Sequence, residues 1–357
     1  SNYLLASSAP FALAGAVLFS SPALADATVE CNANAGPDGI PGNADDPLRT
    51  TECGINAIAD GVDATAIGHS ARAGDEATAV GRDARALGIA DTAIGRSALA
   101  SGSQSIAVGY GAQATGNTTT SLGVGAEAAG ERSVATGAFA TTIGDFSAAY
   151  GFNSRATGLQ SIAVGSESRA NGVQATALGA SATAGNEATA VGHNARALGI
   201  ADTAIGRFAL ASGSQSTAVG VGSNATGNTT TALGIGTDAA GERSVAAGAF
   251  ATTIGAFSAA YGFDSRASGL FSIAIGSESR ANADRTTVIG ANAVASAINS
   301  VAIGAGSVAD VANTFAVGAV GNERRIVNVA NGTVAAGNTD AVNGGQLFAV
   351  QSTANTA

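Results

Sequence analysis

The chain is 357 residues long, with 50 glycines, 4% aromatic and 12% charged residues, and a formal net charge of −10. That acidity excludes the basic footprint of a nucleic-acid binder and argues against attraction to acidic membrane surfaces. The scarcity of large side chains excludes a conventional core for this length, because such a core needs bulky groups to fill its volume; a thin body is expected.

Residues 1–25 read as the tail of a secretory signal. Phe11 to Phe19 is a short apolar run, and Ala23-Leu24-Ala25 is a small-residue cleavage pattern before Asp26. A basic start and an initiator Met are missing, so the signal is expected to be truncated. Residues 26–60 form an N-terminal loop segment with turn chemistry at Gly36-Pro37-Asp38-Gly39 and from Asn43 to Pro47. Cys31 and Cys53, the only cysteines, bracket it. An even pair in an exported chain predicts one disulfide. Asp38, Asp45 and Asp46 offer oxygen ligands to calcium, but their spacing matches no known calcium loop, and a solvated turn is the expectation.

From 61 to 318 one phrase recurs: an apolar residue or Thr, then Ala, an aliphatic residue and Gly, as in Thr65-Ala66-Ile67-Gly68. Nineteen copies end at glycines from Gly68 to Gly318, fourteen residues apart except for thirteen-residue steps from Gly68 to Gly81 and from Gly179 to Gly192. The phrase has the period of a strand. A second segment of Ala-x-Ala form follows, as at Ala71-Arg72-Ala73 and Ala84-Arg85-Ala86, and then commonly another Gly. Each unit is therefore expected to give two strands of three to five residues and two turns that glycine permits. Repeated glycine excludes helices. Short strands at a fixed period stack as a solenoid. The residues before each glycine (Ile67, Val80, Ile94, Val108, Leu122) are expected to fill the thin roll. The alanines one place earlier are expected to let a neighbouring subunit come close.

A block of eight coils is duplicated at an offset of 111 residues: Glu76 to Gly81 recurs as Glu187 to Gly192. Under this offset His69 falls on Ala180 and His193 on Arg82, and neither histidine stands among acids, so both read as surface residues. A solenoid hydrolase or lyase needs clustered carboxylates or bases, whereas Asp75, Glu76, Arg82, Asp83, Glu131 and Arg132 are scattered over turns. An ice-binding solenoid needs a threonine ladder; Thr118-Thr119-Thr120 and Thr229-Thr230-Thr231 occur once per block, so they are not expected to make one. The Gly-Gly-x-Gly-x-Asp repeats of calcium-stacked rolls are absent. Phe139, Phe146, Tyr150 and Phe152, with Phe250, Phe257, Tyr261 and Phe263 in the second block, read as exposed coil caps or contact sites.

The pattern breaks after Gly318. Thr339 or Asp340 is the expected cap of a helix that carries Ala341, Val342, Leu347 and Val350 on a weak apolar face and runs to Ala357.

Two stretches carry a family resemblance. Asn299-Ser300-Val301-Ala302-Ile303-Gly304-Ala305-Gly306-Ser307 has near copies at Gln160 to Ser168 and Phe271 to Ser279. Glu323-Arg324-Arg325-Ile326, Asn328-Val329-Ala330, Gly332-Thr333, Thr339-Asp340-Ala341-Val342-Asn343 and Gln346-Leu347 follow. Both closely resemble the head repeat and neck of YadA-like trimeric autotransporter adhesins, with Val334 to Asn338 longer than the commonest neck form. The resemblance implies an all-β fold: a left-handed parallel β-roll of about nineteen 14-residue coils over 61–318, three chains about one axis. It implies a neck over 319–350 that includes Glu323, Arg324, Arg325, Ile326, Asp340 and Asn343, and the start of a coiled-coil stalk at 351–357. The family's C-terminal outer-membrane strands are not in this sequence, so the chain is expected to be a fragment that meets a membrane only through such an anchor. The implied role is a virulence-associated, type V-secreted adhesin at the surface of a Gram-negative bacterium. It would be a homotrimer attaching to host extracellular-matrix proteins, host cells or other surfaces, with no enzymatic activity, cofactor, metal or nucleic-acid partner. Asn299, Ser300, Val301, Ala302, Ile303, Gly304 and Ser307 are its best-matched binding positions. A solenoid carbohydrate-active enzyme and an ice-binding β-solenoid are the rival readings.

Overall fold

The structure, a computed structural model, describes residues 31–33 and 50–356. The signal segment and the candidate calcium ligands Asp38, Asp45 and Asp46 lie outside the described residues. The chain divides into two compact units, Ser1–Gly111 and Ala112–Ala357.

In the first unit the strands Thr51–Cys53, Thr65–Ile67, Thr78–Val80, Thr92–Ile94 and Ile106–Val108 pair in parallel, each with the next. Between them in sequence, Ile58–Ala59, Arg72–Ala73, Arg85–Ala86 and Leu99–Ala100 make a second parallel stack. The second unit repeats this arrangement from Gln113–Ala114 to Phe315–Ala316. Both are β-solenoids of the expected period, about nineteen coils in all, with strands of three and two residues rather than three to five.

The two sides of each strand are the reverse of expectation. Ala163 is 0% exposed and Ile162 is 42% exposed. Four positions per coil point inward, and they carry alanine, serine or another small residue; in one coil these are Ser168, Ala170, Ala175 and Ala177, all fully buried. The aliphatic residues before each glycine, Ile67 and Ile94 among them, lie on the outer face. Two short strands back to back leave room for methyl and hydroxymethyl groups and little more. The alanine ladder is therefore the core of each chain and is closed to any subunit contact. Val288 is the largest fully buried side chain.

Backbone hydrogen bonds between coils account for the turns as well as the strands. Each turn's third residue is left-handed and donates its N–H to the preceding coil: Gln160 (φ 56°) to the Asp145 carbonyl at 2.9 Å, and Glu167 (φ 59°) to Phe152 at 2.8 Å. The two glycines of a coil differ in what they supply. Gly165 has φ +127°, a conformation side chains rarely adopt. Gly158 has no such angle, but a Cβ there would lie 1.7 Å from the Gly172 carbonyl oxygen, so it is needed for the close approach of coils.

Many buried hydroxyls bond to turn carbonyls three residues back, as Ser168 Oγ does to Gly165 at 2.9 Å and Ser272 Oγ to Gly269 at 2.7 Å, while those of Thr50, Ser121 and Ser161 have no partner. Two inward positions carry a carboxylate. Asp91 accepts from Gly88 N–H at 2.7 Å, Ser105 N–H at 2.8 Å and Ser105 Oγ at 2.9 Å. Asp202 repeats the set with Gly199 and Ser216. Each lies in the coil after a thirteen-residue coil, and each satisfies the N–H of a glycine whose Cβ would fall 1.5 Å from the next coil's carbonyl.

Cys31–Ala33 pairs antiparallel with Thr51–Cys53, and a Cys31–Cys53 disulfide closes the pair with the two Cα atoms 4.2 Å apart. This covers the first edge of the stack, which would otherwise offer unpaired backbone groups to other strands.

Two substitutions in one coil separate core from surface. Ala163→Leu overfills the interior and is expected to cost about 3 kcal/mol, while Leu159→Ala, on an exposed turn, is expected to stay within about 0.5 kcal/mol. Denaturant unfolding of the two variants measures the difference.

Candidate functional site

Among the described residues the coil interior is filled mainly by alanine and serine, so the varied chemistry lies in what the coils display. The outer face of the three-residue strands carries two columns. In the second unit one is Thr176, Thr189, Thr203, Thr217 and Thr231 on successive coils; the other is Leu178, Val191, Ile205, Val219 and Leu233. A threonine ladder thus does form, from the recurring phrase, with one member of a threonine triplet, Thr231, in it. Its partner column is aliphatic, so the face is predominantly apolar. The outer face of the two-residue strands is mixed, with aliphatic residues such as Leu99, Leu210 and Val308 among polar ones, and includes Arg155 opposite Arg169 and Arg266 opposite Arg280.

The aromatic side chains singled out are exposed as expected, the phenylalanines on turns and Tyr150 and Tyr261 on the outer face of three-residue strands. Phe139 and Phe152 meet edge to face at 6.1 Å, as do Phe250 and Phe263 at 6.0 Å. Arg132 sits over Phe146 at 5.5 Å and Arg243 over Phe257 at 5.4 Å. Sequence reasoning passed over Phe271, which stacks on Phe257 at 5.0 Å, and Phe208, which meets His193 at 5.5 Å. The signal was the coil register, which puts each one turn along from its partner.

The residues singled out at 299–307 divide between the two sides of one coil. Ser300, Ala302 and Ser307 are buried inside it. Val301 and Ile303 are half-buried on the outer strand face beside Gly304, and Asn299 is exposed on the turn, donating to Asn313 at 2.8 Å.

The residues expected to form a neck follow the last coil. Arg324 reaches back to the last coil, donating to Ser307 Oγ at 2.9 Å, to the Val317 carbonyl at 2.7 Å and to the Ala305 carbonyl. Glu323 accepts from Gly321 N–H at 2.9 Å. That bond, and a second from its own N–H, hold its carboxyl below the usual glutamate range. Arg325 and Ile326 are exposed, Ile326 by 67%. Asp340 accepts from Thr333 N–H at 3.0 Å. The helix runs Gly344–Thr356, so neither Thr339 nor Asp340 caps it, and Ala341 and Val342 precede it. Asn343 is the cap. Its Oδ1 accepts from Gln346 N–H at 3.1 Å, and Gln346 Oε1 accepts in return from Asn343 N–H at 3.2 Å, a reciprocal capping box. Gln346 also exchanges two hydrogen bonds with the Gly332 backbone, at 2.9 and 2.7 Å, tying helix to neck.

Asn343→Ala is expected to cost the helix start about 1 kcal/mol, seen as lower helicity by circular dichroism. Because the Glu323 carboxyl is depressed, its bond to Gly321 contributes above the ordinary glutamate value and is lost only as pH falls through the lower, folded value. The Gly321 amide shift in an NMR titration should therefore move at a more acidic pH than that of an amide bonded to an unperturbed glutamate.

Two family models match. That of the YadA head domain repeat matches repeatedly from 54–71 through 295–319, together more than half of the chain, and that of the coiled stalk of trimeric autotransporter adhesin matches 325–357. No curated protein matches. Among solved structures, the collagen-binding domain of the Yersinia adhesin YadA matches at 19% identity over 83% of this chain and 87% of that chain, with a TM-score of 0.14. At that score the assignment stands on the family models. Coil period, turn chemistry and capped helix agree with them: the chain belongs to the YadA-type trimeric autotransporter adhesins, and it carries their head repeats and the beginning of their stalk.

Proposed function

We propose that the chain is the adhesive head of a homotrimeric fibre displayed on the outer membrane of a Gram-negative bacterium, and that it attaches to host matrix proteins or cell surfaces. The observation that carries this is the placement of most chemically varied side chains on the outside of coils whose interior, among the described residues, is filled mainly by alanine and serine. Such a body has surface to offer. Catalysis is therefore not part of the proposal.

Apolar groups left uncovered in the single chain support assembly. The strand face with Val301 and Ile303 is one such surface. In the neck and helix, Ile326, Leu347 (65% exposed), Phe348 (69%) and Val350 are exposed. Covering them in a trimer removes apolar area from water at about 25 cal/mol per Å². In this arrangement Val301 and Ile303 contact a second copy, and Asn299, on the turn, is left for a ligand. The inward Ser300, Ala302 and Ser307 hold the coil that presents them. Domain limits at 61–318, 319–350 and 351–357 are proposed for head, neck and stalk, although the stack of coils already includes Thr51–Cys53 and Ile58–Ala59.

Light scattering on the purified chain is expected to give three copies per particle, and Ile303→Asp combined with Leu347→Asp is expected to give single chains. Binding to a panel of immobilised matrix proteins should be strong for the trimer and lost in that variant. A monomeric parent chain, or matrix binding that survives dissociation, contradicts the reading.

A further inference from the structure

We propose that the outward face of the two-residue strands between Arg155 and Arg196 binds a sulfated polysaccharide laid along the stack of coils.

Arg155, Arg169, Thr183 and Arg196 occupy the same place on four successive coils, in parallel register. Neighbouring places are about 4.8 Å apart. All three arginines are exposed, while the alanine after each points inward. Like charges directly opposite one another destabilise a sheet. The fold does not need arginine here, since Thr141 and Thr183 fill the same place on flanking coils. The Arg155–Arg169 repulsion is a cost with no return inside the chain.

Elsewhere the same arrangement is compensated. Arg72, opposite Arg85, pairs with Asp60 at 3.1 Å. Arg280, opposite Arg266, pairs with Asp264 at 4.0 Å, and Arg266 donates to Ser268 Oγ at 2.9 Å. The 111-residue duplication makes the comparison internal: Arg266 and Arg280 correspond to Arg155 and Arg169, and Asp264 corresponds to Asn153. In the earlier block an amide stands where the later block has the carboxylate. Among the described residues no carboxylate lies within ion-pairing distance of Arg155, Arg169 or Arg196. An acidic chain thus leaves three guanidinium groups in line and unanswered.

The chemistry selects the anion. All 16 basic residues of the chain are arginine, whose fork binds sulfate through two parallel hydrogen bonds. A row of such forks fits a linear polyanion. Beside the row, Thr157 and Asn171 supply hydroxyl and amide groups for sugar hydroxyls. The row carries no aromatic side chain for bases to stack on, as binding of single-stranded nucleic acid would require. That this face stays free in the assembly rests on the trimer reading above, in which the opposite, apolar strand face is the one covered.

The test is binding of size-defined heparin oligosaccharides to the full chain by calorimetry at several salt concentrations. Arg155→Thr, Arg169→Thr and Arg196→Thr together, each a residue native to that place, should weaken binding by at least about tenfold and flatten its salt dependence. Asn153→Asp, which restores the carboxylate of the later block, should weaken it several-fold. Arg132→Thr with Arg243→Thr, on the turns, should leave it unchanged. Equal binding by the triple variant, equal loss in the turn variant, or equal affinity for desulfated heparin overturns the proposal. So does tighter binding to single-stranded DNA or to phosphatidylglycerol vesicles. Matrix-protein binding measured on the same samples separates the two readings: its loss with heparin binding retained counts against the adhesin reading alone, and the reverse counts against this one alone.

Discussion

The structure depends on the narrowness of the coil interior. Two sheets of two- and three-residue strands stand so close that, among the described residues, the coil interior takes mainly alanine, serine and threonine, with aspartate at Asp91 and Asp202 and valine at Val288. A core of this kind gains little from each buried side chain, since a methyl group offers little apolar area. It compensates through regularity. Every coil hydrogen-bonds to the next through strands and turns alike, and many buried hydroxyls and carboxylates are tied to turn backbone, as at Ser168 and Asp202. Glycine recurs because coils this close leave no room for a Cβ at Gly144, Gly158 and Gly172.

That constraint dictates where function can reside. An interior filled by the smallest side chains cannot enclose a substrate, hold a catalytic constellation or vary much between coils. Variation is displaced outward, into columns whose members are set one coil apart. The three-residue strands show threonine and aliphatic columns, the two-residue strands show arginine among polar and aliphatic groups, and the turns show phenylalanine at left-handed positions such as Phe146 and Phe257. A uniform scaffold that displays ordered surface columns suits a molecule that works by adhesion. The apolar columns and the uncovered residues of neck and helix supply the reason to associate.

Much of this was legible in the sequence. The period of fourteen, the parallel stacking and the two turns per coil could all be read from glycine spacing and from the match at 299–307. The direction of the side chains could not. Alternation shows that Ala66 and Ile67 face opposite ways, but it does not say which way is in. Hydrophobicity favours isoleucine for the interior, and the width of the roll overrules it; that width appears only when two strands are placed back to back. The helix start was misplaced for a related reason. Thr339 and Asp340 are good caps in isolation, yet Asn343 has Gln346 at the spacing that lets each side chain bond to the other's backbone. The arginine row was visible as recurring Ala-Arg-Ala but acquired meaning only when register placed Arg155 opposite Arg169.

The direction of the side chains is also what can be tested most directly. In a chain with Cys31→Ser and Cys53→Ser, single cysteines placed along one coil report which positions water reaches. Thiols at Ser154, Ala156, Ser161 and Ala163 should resist a maleimide until the chain unfolds, while those at Asn153, Arg155, Thr157 and Leu159 should label at once. Rapid labelling at Ala163 together with protection at Arg155 would contradict an alanine core and everything built on it.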